Sequence, residues 1–206
     1  MIKGTPELIA ERREEIISAC AKLYQTMSFK EIALKEIGNE VPFSRPTIYN
    51  YFQTKEEIFL ALLGREYERW IIDLEAIYNE NDRLKKEELA SKIARCLADR
   101  PQLLKLIAMN LYEMEANSRL EQLVAFKQTY RRLIETFEKL FAKFLSGMTA
   151  AQTQKLLTLF IPFMFGVYPM TNATEKQNEA MKAAGISFVE VSEYELIDEY
   201  LLKLLK

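Results

Sequence analysis

The 206-residue sequence contains no histidine at all. This absence excludes Ser-His-Asp and Cys-His catalytic triads and removes the commonest metal ligand. A Gly-rich phosphate-binding loop and a cluster of metal-ligating residue types are lacking as well. We therefore predict that the protein is not an enzyme and that it uses no cofactor and no metal.

Cysteines and long apolar runs are also scarce. The two cysteines, Cys20 and Cys96, lie far apart within helical patterns. They are typical of small buried side chains in a cytosolic protein, and not of a disulfide or a metal pair. No run of about 18 apolar residues and no apolar segment of the signal-peptide type occurs. We therefore expect a cytoplasmic protein that is neither secreted nor inserted in a membrane.

An excess of charge of one sign is missing too. The chain carries 28 Lys and Arg against 30 Asp and Glu, and residues 1–55 carry 8 against 7. Bulk charge therefore does not indicate a nucleic-acid partner, and any such binding has to depend on individually placed groups. Because 49% of the residues are hydrophobic, the length suffices for one large or two small domains with a real core.

Helical periodicity is what the sequence does have. A first helix is predicted from the cap Thr5 to about Tyr24. A capping box at Ser28 and Glu31 predicts the start of a second helix, with Gly38 as its C-cap. A short third helix of about two turns follows within the first fifty or so residues. This order, two helices joined by a turn with one more in front, is that of a helix-turn-helix domain.

The third helix lies in the stretch FSRPTIYNYFQTK, residues 43–55. Its polar groups suit a DNA groove, because an Arg fork pairs with guanine edges and Tyr and Lys reach phosphates. By themselves these residues fit a solvated surface helix equally well. The predicted DNA-contacting residues are Ser28, Ser44, Arg45, Pro46, Thr47, Tyr49, Asn50 and Lys55.

The rest of the chain is predicted to be helical as well, which gives an all-α fold. A polar linker at residues 80–86 and a strand-like alternation at residues 186–191, too short to found a sheet, interrupt the helices. The heptad from Leu123 to Phe144 fits a dimeric coiled coil or a core helix of one subunit, and we favour the core helix. The predicted helices span residues 54–78, 87–97, 101–117, 119–145, 149–168 (with a kink at Pro162 and an end at Pro169), 174–184 and 192–205.

Three stretches of the N-terminal segment form a recognisable motif set. They are Phe29-x-x-Ile32-Ala33, then Arg45-Pro46-Thr47-Ile48-Tyr49-Asn50-Tyr51-Phe52, then Lys55-Glu56-Glu57-Ile58-Phe59. With them, the segment from about Arg12 to Leu63 resembles the DNA-binding domain of TetR-family transcriptional regulators. The turn at residues 38–44 is about two residues longer than the usual family turn. The resemblance implies a three-helix DNA-binding domain in residues 1–53 and a helical ligand-binding and dimerisation domain in residues 54–206.

The family plan implies a repressor that acts as a homodimer on a palindromic double-stranded operator and responds to a small-molecule effector. It places the dimer interface on the last two main helices. Met and aromatic residues at helical spacing are more often plain core, and Asn110 fits a satisfied core amide as well as a ligand contact. A dimeric DNA-binding regulator without a ligand is the alternative function. The predicted residues of an apolar effector pocket are Met109, Asn110, Tyr112, Tyr130, Phe160 and Met164.

Overall fold

The computed structural model describes residues 5–109, 111–187 and 189–205, and within these ranges every regular element is a helix. The predicted all-α fold is therefore confirmed. The helices are α1 Pro6–Thr26, α2 Leu34–Asn39, α3 Arg45–Ile48, α4 Lys55–Glu80, α5 Lys86–Ala98, α6 Pro101–Ile107, α7 Leu111–Ala116, α8 Leu120–Phe144, α9 Ala150–Thr171, α10 Glu175–Ala183 and α11 Glu193–Leu204.

Packing divides the chain into two compact units. The first consists of the described part of Met1–Glu66 and Asn110–Tyr130, and the second of the described part of Tyr67–Met109 and Arg131–Lys206. Helices α4 and α8 each begin in the first unit and continue in the second. The predicted boundary at residue 53 falls just before α4, whereas packing groups the first turns of α4 and α8 with the N-terminal helices.

In the first unit, α1 forms as its cap predicts. The Thr5 side chain accepts a hydrogen bond from the Leu8 N–H at 3.3 Å, and Pro6 occupies the first helical position. One face of α1 is buried, with Cys20 fully inaccessible and the Tyr24 ring edge-on to Phe59 of α4 at 5.2 Å. The apolar face of α1 thereby supports the start of α4.

The segment between α1 and α2 does not form the helix start that was predicted at Ser28. The Glu31 carboxylate accepts the Ser28 N–H at 2.7 Å, as in a capping box, but a turn follows it and not a helix. A helix starting there would need the Phe29 carbonyl to accept a bond from the Ala33 N–H. That carbonyl instead accepts from the Lys55 ammonium at 2.7 Å. The helix is therefore displaced toward the C-terminus.

Helix α2 accordingly starts at Leu34, where the Glu36 carboxylate accepts the Ala33 N–H at 3.1 Å. Gly38 was predicted as the C-cap, which is wrong, because it lies inside α2. A Cβ atom at Gly38 would lie 3.5 Å from the Arg45 Cβ and 3.6 Å from the Ile48 Cδ1, which is van der Waals contact. This glycine therefore lies where α2 packs against α3.

The second unit is built around α5, α9 and α11. Leu89, Ile93 and Leu97 on α5 and Ile197 and Leu201 on α11 are all fully buried. Across the α5–α11 contact, the hydroxyls of Ser91 and Tyr194 lie 2.9 Å apart. These buried residues form the faces through which α5 and α11 pack.

Two predicted helix ends in the second half of the chain are wrong. The predicted helix over residues 101–117 is two helices, since α6 ends at Ile107 and α7 begins at Leu111. Pro169 does not end α9, which continues to Thr171. A proline so near the end removes only one backbone bond, and the Thr171 hydroxyl donates to the Val167 carbonyl at 2.9 Å to strengthen this last turn.

The α8 heptad is buried within the single chain. Leu133, Phe137 and Leu140 are at most 2% exposed, and Phe126 and Phe144 are nearly buried. The prediction of a core helix is therefore confirmed over that of a free coiled-coil seam. The Trp70 ring of α4 lies edge-on to Phe137 at 5.3 Å, so the same face contributes to an aromatic cluster.

Both thiols are free and shielded. Burial raises the pKa of Cys20 to about 12 and that of the half-buried Cys96 to about 11, so both are protonated at neutral pH.

Within the described residues, no single helix is long and apolar enough to cross a membrane. Helices α9 and α10 meet that criterion of length and composition only together, as a pair bent by 82°.

Candidate functional site

The predicted recognition helix α3 is short, and buried apolar side chains anchor one side of it. Ile48 at its end and Phe52 just after it are completely buried. After Ile48 the chain continues as a turn, in which the Asn50 N–H donates to the Thr47 carbonyl at 3.1 Å and the Phe52 N–H to the Ile48 carbonyl at 2.9 Å. The helix therefore has about one regular turn followed by a tight turn, and not the two turns predicted.

The opposite side of α3 carries exposed polar groups. Ser44, Arg45, Pro46 and Asn50 are exposed, and Tyr49 is 46% exposed. The Arg45 Nη2 lies 3.5 Å from the Tyr49 hydroxyl, a long contact that leaves most of the guanidinium donors available. Five side chains predicted to contact DNA are thus accessible on and beside α3.

Thr47 is placed differently from the other α3 candidates. Its side chain is half-buried, and its hydroxyl lies 3.0 Å from that of Ser44. The Ser44 carbonyl accepts the Thr47 N–H at 2.8 Å, whereas the Ser44 hydroxyl makes no cap bond to the helix backbone. The two hydroxyls therefore form one polar spot at the start of α3.

Lys55 and Ser28 lie at the neighbouring turn. The Lys55 ammonium donates to the carbonyls of Phe29 at 2.7 Å and Ile32 at 3.1 Å, and it lies 4.1 Å from the centre of the Phe29 ring. An ammonium has three donors, so one remains for an external acceptor. Ser28 is exposed at the start of this turn. Both residues stay candidates for phosphate contacts, and Lys55 also stabilises the turn.

The longer connection between α2 and α3 is fixed by contacts to α1. Lys22 of α1 forms an ion pair with Glu40 at 2.6 Å, and the Arg12 guanidinium lies 5.7 Å from the centre of the Phe43 ring. These contacts hold both ends of the connection, residues 40–44, against the first helix.

One functional candidate was missed by the sequence analysis. Glu57, in the first turn of α4, is completely buried and forms an ion pair with Arg119 at 2.7 Å. Burial raises the pKa of Glu57, but hydrogen bonds from the Arg119 side chain and from the Gln53 and Arg119 N–H groups outweigh it and leave the pKa below its ordinary value of 4.5. Sixty-two residues separate the partners, so no local pattern points to the pair.

The predicted effector residues fall into both units. Tyr112 is 78% exposed, which is not the buried position expected of a pocket wall. Tyr130 of the first unit and Met109 of the second are half-buried, whereas Phe160 and Met164 are each 1% exposed. Asn110 lies outside the described residues.

An aromatic cluster surrounds one of these residues. The Phe160 ring lies 6.4 Å from Phe137, whose ring contacts that of Trp70 at 5.3 Å. The indole Nε1 of Trp70 is buried and has no hydrogen-bond partner among the residues that the structure describes. A buried donor without a partner is uncommon and suits an acceptor supplied by a ligand.

The fold is similar to that of solved regulator structures. A solved structure of the fatty acid degradation regulator FadR from Bacillus halodurans has a TM-score of 0.59 at 15% identity and covers 98% of this chain and 96% of that one. Thermus thermophilus FadR in complex with lauroyl-CoA has a TM-score of 0.59 at 18% identity and covers 94% and 93%. At these identities the likeness concerns the fold alone.

The sequence comparisons are more specific. The HTH-type transcriptional regulator HbdR from Aromatoleum sp. (strain CIB) is 36% identical over 58 residues, so the match spans only 28% of this chain and 25% of that protein. The family described as bacterial regulatory proteins, tetR family, matches residues 16–62, and the tetracyclin repressor-like C-terminal domain matches residues 64–204. Because the two matches together account for nearly the whole chain, it belongs to the TetR family of helix-turn-helix transcriptional regulators.

Proposed function

We propose that this regulator is a repressor that binds a palindromic operator as a homodimer and leaves it when a small apolar ligand binds. The exposed polar face of α3 carries the DNA part of the proposal, because buried Ile48 and Phe52 fix its backbone while Arg45 and Tyr49 remain accessible. We assign Arg45 to base edges and Tyr49 to phosphate.

The remaining DNA candidates have supporting roles. Asn50 is exposed after α3, and the hydroxyls of Ser44 and Thr47 lie together at its start. Pro46 presents only an apolar ring, which suits contact with a thymine methyl or a sugar. The third N–H of the Lys55 ammonium and the Ser28 hydroxyl would meet the phosphate backbone beside the groove.

The homodimer is supported by the face of α9 that the chain leaves uncovered. Leu159 is 48%, Phe165 38% and Met170 55% exposed, and Pro162 and Gly166 are exposed between them. These positions recur every three to four residues, so they form one apolar stripe along the helix. A second copy related by a twofold axis would cover it, and the operator would have the same symmetry.

The apolar effector is supported by the cluster around Phe160. Its side chains are aromatic and apolar, and the Trp70 N–H, which has no hydrogen-bond partner among the described residues, provides one donor for a polar group of the ligand. An acyl chain attached to a carbonyl has this combination of groups. Since Thermus thermophilus FadR, which shares the fold, was solved with lauroyl-CoA, acyl-CoA thioesters are the first compounds to test.

Operator release tests the ligand part of the proposal. The protein is first used to select its operator from random duplex DNA, and lauroyl-CoA is then titrated into the complex. We expect release by lauroyl-CoA and none by free CoA, because a ligand shifts the equilibrium only through its differential affinity for the unbound form.

Trp70→Phe is the informative variant, because it removes the indole donor and keeps an aromatic ring, although a smaller one. It should weaken the response to lauroyl-CoA several-fold, in line with the loss of one buried hydrogen bond, and leave operator affinity unchanged. If no member of a panel of acyl-CoA thioesters and other lipophilic compounds releases the operator, the ligand part fails and the ligand-independent regulator is the better description.

A further inference from the structure

Glu57 is a buried carboxylate with an unusually complete set of donors. Its Oε1 accepts from the Arg119 backbone N–H at 3.0 Å and from the Arg119 Nε at 2.7 Å. Its Oε2 accepts from the Arg119 Nη2 at 3.0 Å and from the Gln53 N–H at 2.7 Å. A buried charge is tolerated only when it is paired and hydrogen-bonded in this way. The arrangement therefore depends on Arg119 as much as on Glu57.

Arg119 also reaches the end of the recognition helix. Its Nη2 donates to the Tyr51 carbonyl at 3.1 Å, two residues beyond the DNA candidate Tyr49. The Tyr51 N–H in turn donates to the Ile48 carbonyl, the last residue of α3, at 2.9 Å. One guanidinium thus connects the first turn of α4 to the peptide that ends the recognition segment.

The same two stretches of chain meet in a further contact. The Thr54 hydroxyl donates to the Asn117 carbonyl at 3.0 Å and accepts the Glu57 N–H at 3.2 Å. Residues 117–119, which we call the α7–α8 corner, are therefore bonded to residues 51–57 on both sides of the ion pair. Helix α8 begins directly after the corner, at Leu120.

We propose that Arg119 is a positioning residue for operator recognition, which holds α3 in its DNA-binding orientation through Tyr51 and Glu57. This inference rests on the proposed DNA-binding function of α3. Because α8 starts directly after Arg119, the position of this guanidinium is set by the start of α8 as well as by Glu57.

The chemistry of the contact requires arginine. The planar fork pairs Nε and Nη2 with the two carboxylate oxygens of Glu57, and Nη2 retains a second N–H for the Tyr51 carbonyl. A lysine ammonium is a single point charge and cannot keep this fixed geometry. Arg119→Lys therefore preserves the charge and removes the alignment.

The specificity ratio, operator Kd divided by the Kd for a scrambled duplex, separates positioning from general stability. Partial unfolding of a variant weakens both complexes equally, whereas a misaligned α3 weakens only the specific one. We expect Arg119→Lys to bind the operator about tenfold more weakly and the scrambled duplex within about twofold of wild type. Circular dichroism at the assay temperature confirms that each variant is folded.

For Glu57→Gln, the positioning role and simple electrostatics predict opposite changes in operator affinity. Removing an acidic charge from a DNA-binding unit should tighten binding to any DNA by charge alone. If Glu57 holds Arg119 in place, Glu57→Gln instead weakens operator binding and lowers discrimination. Glu115→Gln is the matched control, because Glu115 pairs with Lys127 at 2.6 Å between α7 and α8, which is a contact outside residues 51–57. It should leave the ratio unchanged.

The outcomes are distinguishable. The wild type is expected to prefer the selected operator over the scrambled duplex. If the Arg119→Lys and Glu57→Gln variants are folded and show the same preference, the positioning role is overturned and the proposed function stands. If Arg119→Lys weakens both duplexes alike, Arg119 acts through stability or phosphate contact, and the inference is again overturned. A wild type that shows no sequence preference removes the proposed function and this inference together.

Discussion

Helices α3 and α9 differ in what they leave uncovered. Helix α3 buries an apolar underside, with Ile48 inaccessible, and exposes Arg45 and Asn50. Helix α9 buries one apolar face, with Phe160 and Met164 1% exposed, and presents a second apolar face to solvent. The exposed chemistry indicates the partner: hydrogen-bonding groups suit the edges of a DNA groove, and an apolar stripe suits another protein surface.

The near-neutral charge of the chain is no obstacle to DNA binding. Net charge is −2, so long-range attraction contributes little. A single one-turn helix offers few contacts, and two copies held at a fixed separation add theirs together. In the proposed homodimer, the apolar face of α9 is therefore as necessary for operator affinity as the polar face of α3.

The largest effect is expected from a charge on the open face of α9. Phe165→Glu should dissociate the dimer, because the carboxylate would be buried without a partner, and operator affinity should fall by about two orders of magnitude or more. Light scattering gives the mass and gel shifts give the affinity.

Ile72→Glu is the matched control for this variant, since Ile72 is also an exposed apolar residue, 63% exposed, but belongs to α4 and not to α9. It should change neither mass nor affinity. A wild type that is a monomer of 24.1 kDa at micromolar concentration would exclude the dimer on which the comparison depends.

A smaller loss is expected from the polar face of α3. Arg45→Ala should cost about 1–3 kcal/mol on the operator and relax the preference at one base pair in each half-site. Arg45→Lys is the matched control, because it keeps the charge and loses the fork, so it should retain affinity for scrambled DNA. Titrations of both variants on operator and scrambled duplexes measure these affinities. Undiminished operator binding by Arg45→Ala would exclude this side chain from base recognition.

Lys55 should have a weaker and less selective effect. Lys55→Ala is expected to weaken binding to all sequences alike and to reduce the slope of log K against log salt by about one, as the loss of one phosphate contact requires. The slope is obtained from titrations at four or five salt concentrations. An unchanged slope together with reduced thermal stability would limit Lys55 to its bonds with the Phe29 and Ile32 carbonyls.

The smallest effect is expected in the pH dependence of stability, through Glu57. Because the pKa of Glu57 is lowered in the folded protein, its stabilisation is fully present above the ordinary value of 4.5 and is lost as pH falls through the lower folded value. Thermal unfolding of wild type should therefore lose stability below about pH 4.5, and Glu57→Gln should show a flatter curve there. If both curves have the same slope, Glu57 is not the group responsible.

The structure shows which features were predictable from sequence. The predicted helix starts at residues 174 and 192 are confirmed, and Gln177 and Glu195 complete capping boxes there with Thr174 and Ser192. The exposure of the polar residues of α3 and the burial of the α8 core positions also follow from spacing alone.

The errors occur where a distant residue intervenes. The box at Ser28 does not start a helix, because Lys55 binds a carbonyl that the helix would need. The Glu57–Arg119 pair was missed for the same reason, since its partners are 62 residues apart. The effector residues were assigned by family plan and helical spacing, which do not determine exposure, and Tyr112 proved to be 78% exposed.

Selection of duplexes from random DNA by the wild-type 206-residue chain tests the central claim most directly. The account predicts enrichment of an inverted repeat whose half-sites are separated by about one helical turn or somewhat more. The same selection with Arg45→Lys should lose the preference at one position in each half-site. Failure of the wild type to enrich any sequence at low salt, or enrichment of a single unrepeated site, would contradict a dimeric regulator that recognises DNA through α3.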